Sequence, residues 1–96
     1  MKKDKIKPLY QVTLEEYEKI DKDTYRFVRS KHIYSTTNLQ AAINAGKDAK
    51  KEAVKEGKAK GKKVTVYNFA YKVEIFDNDT CSFRELTYQE WEEGLS

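Results

Sequence analysis

The chain predicts an α+β fold: an antiparallel sheet of three to four strands with one long basic helix packed on a face and two short capped helices, in the order β-α-β-α-β-β-α. Three observations predict it. Residues 67–75 alternate aromatic or branched side chains with Asn68, Ala70, Lys72 and Glu74, the period-two pattern of a strand. Residues 38–61 are rich in alanine, with apolar positions at helical spacing. Residues 12–20 (VTLEEYEKI) are echoed by residues 86–95 (LTYQEWEEGL), each with a Thr, a Glu three residues on and then an aromatic.

In chain order, residues 1–8 read as a flexible basic tail carrying Lys2, Lys3, Lys5 and Lys7, and residues 9–96 as a single domain. LYQV (9–12) predicts a short strand, with Pro8 at its start or on an edge. Thr13-x-x-Glu16 fits a capping box, in which the Thr hydroxyl and the Glu carboxylate each take the other residue's backbone N–H. It predicts a short helix, with Val12 stapled onto Tyr17 and the acids Glu15, Glu16 and Glu18 in its first turns. Asp21-Lys22-Asp23 predicts a turn into TYRFVRSKHIYS, a strand without clean alternation.

Thr37-x-x-Gln40 predicts a second box, opening the long helix. At 100° per residue Leu39, Ala42, Ile43, Gly46, Ala49, Ala53 and Val54 share one face. Their small size predicts a close approach to a sheet beneath. Lys47, Lys51, Lys55 and Lys58 form a second stripe and Asp48, Glu52 and Glu56 a third, while Lys50 intrudes on the apolar face. Gly57 and Gly61 offer stop signals. In the strand that follows, Val64 and Val66 lie on the opposite parity from Tyr67, Phe69, Tyr71, Val73 and Ile75, which predicts a bulge or bend near Asn68. Asp77-Asn78-Asp79-Thr80 is turn chemistry. A five-residue loop there would set Ile75 opposite Phe83 and Glu74 opposite Arg84, pairing opposite charges. Thr87-x-x-Glu90 caps the last short helix, with Leu86 stapled onto Trp91.

Composition excludes more functions than it suggests. Cys81 is the one cysteine, which rules out an internal disulfide and predicts a core or semi-buried thiol in a soluble, cytoplasmic protein. No apolar run approaches the length of a membrane span. His32 is the one histidine, so a zinc site of His and Cys ligands has at most two candidates. Asp77-Asn78-Asp79 lacks the Gly and Glu that a calcium loop needs at its sixth and twelfth positions. Gly57 to Lys62 follows a helix where a phosphate loop would follow a strand. The expectation is a non-enzymatic module with no catalytic residues, no metal, no cofactor and no small-molecule substrate.

What remains is charge. The net charge is +3, but residues 47–63 carry +5 and residues 64–96 carry −5. The row Lys47, Lys51, Lys55 and Lys58, supported by Arg26, Arg29 and Lys31, is suited to nucleic-acid phosphates or to an acidic protein surface. A pI of 8.9 and only three arginines weigh against a dedicated duplex binder. A lysine stripe beside a glutamate stripe is also what an ordinary solvated helix face looks like. The alternative is an adaptor or inhibitor, of a size that viruses and mobile elements encode, docking on a larger machine through Tyr17, Tyr88 and Trp91 among acidic helices.

Overall fold

The computed structural model describes residues 7–96, so Lys2, Lys3, Lys5 and most of the expected tail lie outside the described residues. The elements are β1 (Tyr10–Asp21), β2 (Thr24–Thr36), α1 (Leu39–Ala59), a single 3-10 turn (Val66–Asn68), β3 (Phe69–Asp77), β4 (Ser82–Glu85) and α2 (Tyr88–Leu95). The four strands form one antiparallel sheet in the order β2-β1-β3-β4. The fold is therefore α+β, as expected, but with one short helix fewer.

The missing helix is the first. Residues 13–20 continue β1 as a strand, and the Thr13 box is not used. Local capping is worth about 1 kcal/mol, and an isolated helix of eight residues is marginal in water. Against this stand two backbone ladders, one to β2 along the whole segment and one to β3 as far as Glu16. Val12 is fully buried between them. The acids that would crowd a helical first turn find arginines across the strand: Glu16 lies 2.9 Å from Arg29 and Glu18 lies 2.8 Å from Arg26. Tyr17 meets Phe27 edge to face at 5.9 Å, and the Asp21 carboxylate accepts the Asp23 N–H to close the hairpin. Tyr17 is thus a strand residue, not part of an acidic helix.

α1 begins one residue later than its Thr37 box predicts. Asn38 is the cap, its side chain accepting the Ala41 N–H at 2.9 Å, and Gln40 bonds Asn44 instead of reaching back. The helix lies on the sheet face formed by Tyr10, Val12, Tyr71, Val73 and Ile75. Gly46 sets how closely it can lie, because a Cβ there would fall 2.3 Å from the Tyr71 ring. The buried core is Tyr10, Val12, Leu39, Ala42, Val73 and Ile75, with Ile33, Ile43, Leu86 and Trp91 packed around it.

Val66–Asn68 form the 3-10 turn, so the change of parity near Asn68 is a bend and the strand starts only at Phe69. The Asn68 side chain ties this bend together. It accepts the Thr65 N–H and donates to the Tyr17 carbonyl at 3.0 Å, at the point where β3 stops accompanying β1.

The β3–β4 register differs by one residue from the expectation. Phe76 faces Phe83, Ile75 faces Arg84 and Glu74 faces Glu85, around a loop of four residues. A slip of one residue moves every side chain to the other face of the sheet. Here it stacks Phe76 and Phe83 edge to face at 5.3 Å and turns Arg84 toward α2. Cys81 lies in that loop, exposed and at a φ of 54°, not in the core. Turn geometry needing a left-handed residue takes precedence there over the apolar character of the thiol.

Beyond Glu16 the β1–β2 hairpin has no third strand and projects as an arm. The molecule measures 60 × 23 × 20 Å, with a radius of gyration of 16.1 Å. A compact chain of this length would have a radius of about 12–13 Å.

Candidate interaction surface on the basic helix

Lys47, Lys51, Lys55 and Lys58 are all exposed, on the flank of α1 that faces the 3-10 turn and β3. At about 1.5 Å rise per residue the row is roughly 16 Å long. Among the described residues none of the four makes an ion pair; the one such pair within α1 and its cap joins Glu56 to Lys60. Asp48 and Lys51, and Glu52 and Lys55, stand three positions apart on the helix without pairing. The acidic C-terminal helix leaves the row uncovered. α2 packs at the other end of α1, where Gly94 lies so close to Leu39 that a Cβ would come within 2.4 Å of its side chain.

The row rims an open groove of about 590 Å³. Its floor is apolar, made of Val54, Val66 and Tyr71, and Lys50 joins the four lysines at the rim. Val54 is buried by the packing of α1, and Tyr71 presses its ring against Gly46. Val66 is 51% exposed, because the 3-10 turn lifts it out of β3. Tyr67, beside it on the same turn, is 73% exposed.

Four of these groove residues were not singled out as functional from the sequence: Val54 was read only as part of the apolar face of α1, and two of the other three carried a signal. Lys50 breaks the apolar stripe of α1, and Val66 breaks the parity of β3. Both irregularities mark the seam where helix and turn part to leave a groove. Tyr71 had no such signal, since it is a regular inward position of the strand.

Arg26, Arg29 and Lys31 are not an extension of this row. They stand on β2, across the sheet from the 3-10 turn. Arg26 and Arg29 are held by Glu18 and Glu16. Arg29 and Lys31 instead line a second groove with Glu16, Glu56, Lys60 and Lys62, on the opposite flank of α1, where acids and bases mix.

Tyr17, Tyr88 and Trp91 are not brought together either. Tyr17 lies about 23 Å along β1 from Tyr10, at roughly 3.3 Å per strand residue. Tyr88 and Trp91 belong to α2, whose far end packs over Tyr10. Trp91 is half-buried against the core and lines a cleft with Leu86, as a staple residue should, while Tyr88 is 78% exposed.

α2 is fastened by one arginine. The Thr87 capping box forms as predicted, with both backbone N–H groups accepted. Arg84 then grips Glu90 through two bonds, at 2.7 and 2.9 Å, and Asp77 through a third at 2.8 Å. The Arg84 guanidinium, with the Thr87 N–H behind it, holds the Glu90 carboxyl down to about 2. The same guanidinium and the Asp79 N–H lower Asp77. Burial, with Glu90 and Glu93 nearby, pushes the Tyr10 phenol up.

Among the described residues no cluster of three or more His, Cys, Asp or Glu side chains could hold a metal ion, and no helix is long and apolar enough to cross a membrane. Compared with known proteins, the chain matches no family model, no curated relative and no solved structure, so its reading rests on its own residues.

Proposed function

We propose that the chain is a small non-enzymatic binding module that holds an anionic macromolecule, nucleic acid or acidic protein, along the lysine row of α1. The observation that carries this reading is that Lys47, Lys51, Lys55 and Lys58 project from one flank with no carboxylate partner among the described residues. Surface lysines in a chain with sixteen acidic residues have ample opportunity to pair. A row left unpaired keeps its attraction for an external polyanion, to be released with the partner's counterions on binding.

The test is retention on heparin resin and anisotropy with labelled heparin oligosaccharide across a salt series. Wild type should bind at low salt with a steep salt dependence. Changing all four lysines to glutamine should abolish retention, and each single change should lower the salt slope by about one. Binding unaltered in the fourfold variant would end this reading.

A second reading, docking of a protein on α2, is supported by Tyr88 alone of the three aromatics. Its ring stands 78% exposed beside Glu92, and tyrosine is a frequent anchor of interfaces. A stoichiometric partner recovered by pull-down, and lost with Tyr88→Ala while the fold persists, would favour α2 over the lysine row.

A further inference from the structure

Resting on the lysine-row reading, the geometry points to a definite partner: an acidic amphipathic helix of another protein, laid along α1 with its apolar side chains in the Val54–Val66–Tyr71 floor and its carboxylates on the lysines. Spacing alone does not choose between partners. Lysines three and four positions apart on a helix repeat every 5–6 Å, close to the spacing of carboxylates on a facing helix and of phosphates on an extended strand. The floor does choose.

A phosphate backbone brings only charge and sugar to such a groove, and would leave an apolar floor wet. A stacked base could cover apolar surface, but it needs an open ring face. The Tyr71 ring is pressed against Gly46, the exposed ring of Tyr67 stands beside the groove without lining it, and the rest of the floor is two valines, whose branched methyls fit aliphatic or aromatic side chains. The arginines, the residues best suited to phosphate and base edges, are taken up by Glu18, Glu16, Asp77 and Glu90 elsewhere on the molecule.

The length also fits. A row of about 16 Å matches three turns of a partner helix. An apolar seam flanked by charge is how amphipathic helices are held in grooves. The positive rim and apolar floor are together complementary to a helix with Leu, Ile or Phe on one face and Glu or Asp along the edge that meets α1. Lys50, half-buried, lines the groove with the four exposed lysines and adds a fifth positive charge to it.

The experiment compares three labelled probes by anisotropy at matched ionic strength. One is an 18-residue acidic amphipathic peptide with a leucine stripe, one is its twin with the leucines changed to glutamine, and one is an oligodeoxythymidylate of equal charge. The leucine peptide should bind at least tenfold more tightly than its twin. Val66→Ser, at a half-exposed site where circular dichroism can verify the fold, should weaken that peptide about fivefold and leave the twin unchanged. The four-lysine variant should weaken all three.

Equal binding of peptide and twin, or tighter binding of the oligonucleotide, overturns the inference while leaving the lysine-row reading in place. Failure of every probe, heparin included, overturns both. Concentration-dependent self-association of the chain, lost in the four-lysine variant, would seat a second copy's α2 in the groove and overturn the separate partner.

Discussion

Gly46 sets how closely α1 lies on the sheet. Two effects of Gly46→Ala oppose each other. Alanine favours helix by about 1 kcal/mol. Its methyl would lie 2.3 Å from the Tyr71 ring, and overpacking of this kind costs about 1–3 kcal/mol. The clash reaches ring Cγ at 2.6 Å, next to the backbone of a central strand, where a turn of the ring gives no relief, so the clash wins. Chemical denaturation should show a net loss of up to about 2 kcal/mol, and the groove, whose floor includes Tyr71, should bind its partner less tightly. That the helix sits close to a sheet was legible in the sequence, because Gly46 stands among alanines on one stripe. That its partner would be Tyr71 was not, since no local feature fixes which strand residue lies beneath a helix position. Arg84 fixes α2 as Gly46 fixes α1. Glu90 has a folded value near 2 against an ordinary 4.5, so the stabilisation it provides is complete above about pH 4.5 and is lost as pH falls toward 2. A pH titration followed by Trp91 fluorescence should show α2 loosening in that window. Glu90→Gln should be weaker at neutral pH and should lack the acid transition.

The two capping-box echoes separate at the scale of the element. Thr87-x-x-Glu90 makes a helix and Thr13-x-x-Glu16 makes a strand, from nearly the same residues. What differs is what each segment meets. Residues 13–20 run into a tight hairpin, and Arg26 and Arg29 then arrive opposite their glutamates. Residues 87–95 pair with no strand among the described residues, and Arg84 precedes them to hold Glu90. The box is a local signal worth about 1 kcal/mol, and non-local pairing decides whether it is used. Thr87→Ala should accordingly destabilise α2 by about 1 kcal/mol, while Thr13→Ala should not show a capping loss; thermal melts of the two variants make the comparison. The same limit explains the β3–β4 slip. Charge pairing along the strands favoured Glu74 opposite Arg84, but Arg84 is satisfied from a helix, which no strand-by-strand reasoning includes.

The lysine row was fully legible at the scale of the molecule, because periodicity places four lysines on one flank whatever lies below. Its separation from Arg26, Arg29 and Lys31 was not, since it depends on the order β2-β1-β3-β4, which puts β2 and the 3-10 turn on opposite sides of β1. The sheet is also uneven in support. From Tyr10 to Glu16, β1 is flanked on both sides and roofed by α1; from Tyr17 onward it has β2 alone. A two-stranded ribbon is marginal on its own in water. Amide exchange should therefore be markedly faster at Tyr17–Val28 than at Tyr10–Glu16, and Phe27→Ala should speed it further without lowering the protection of β3. One practical corollary concerns how this molecule reports on itself. Its single tryptophan reads the interior, whereas much of its extended-strand ellipticity originates in the projecting ribbon. Melting curves recorded by emission and by far-ultraviolet dichroism should part company, the dichroism yielding first, and a scientist who fitted either trace alone would assign the whole chain a cooperativity that only its roofed half possesses.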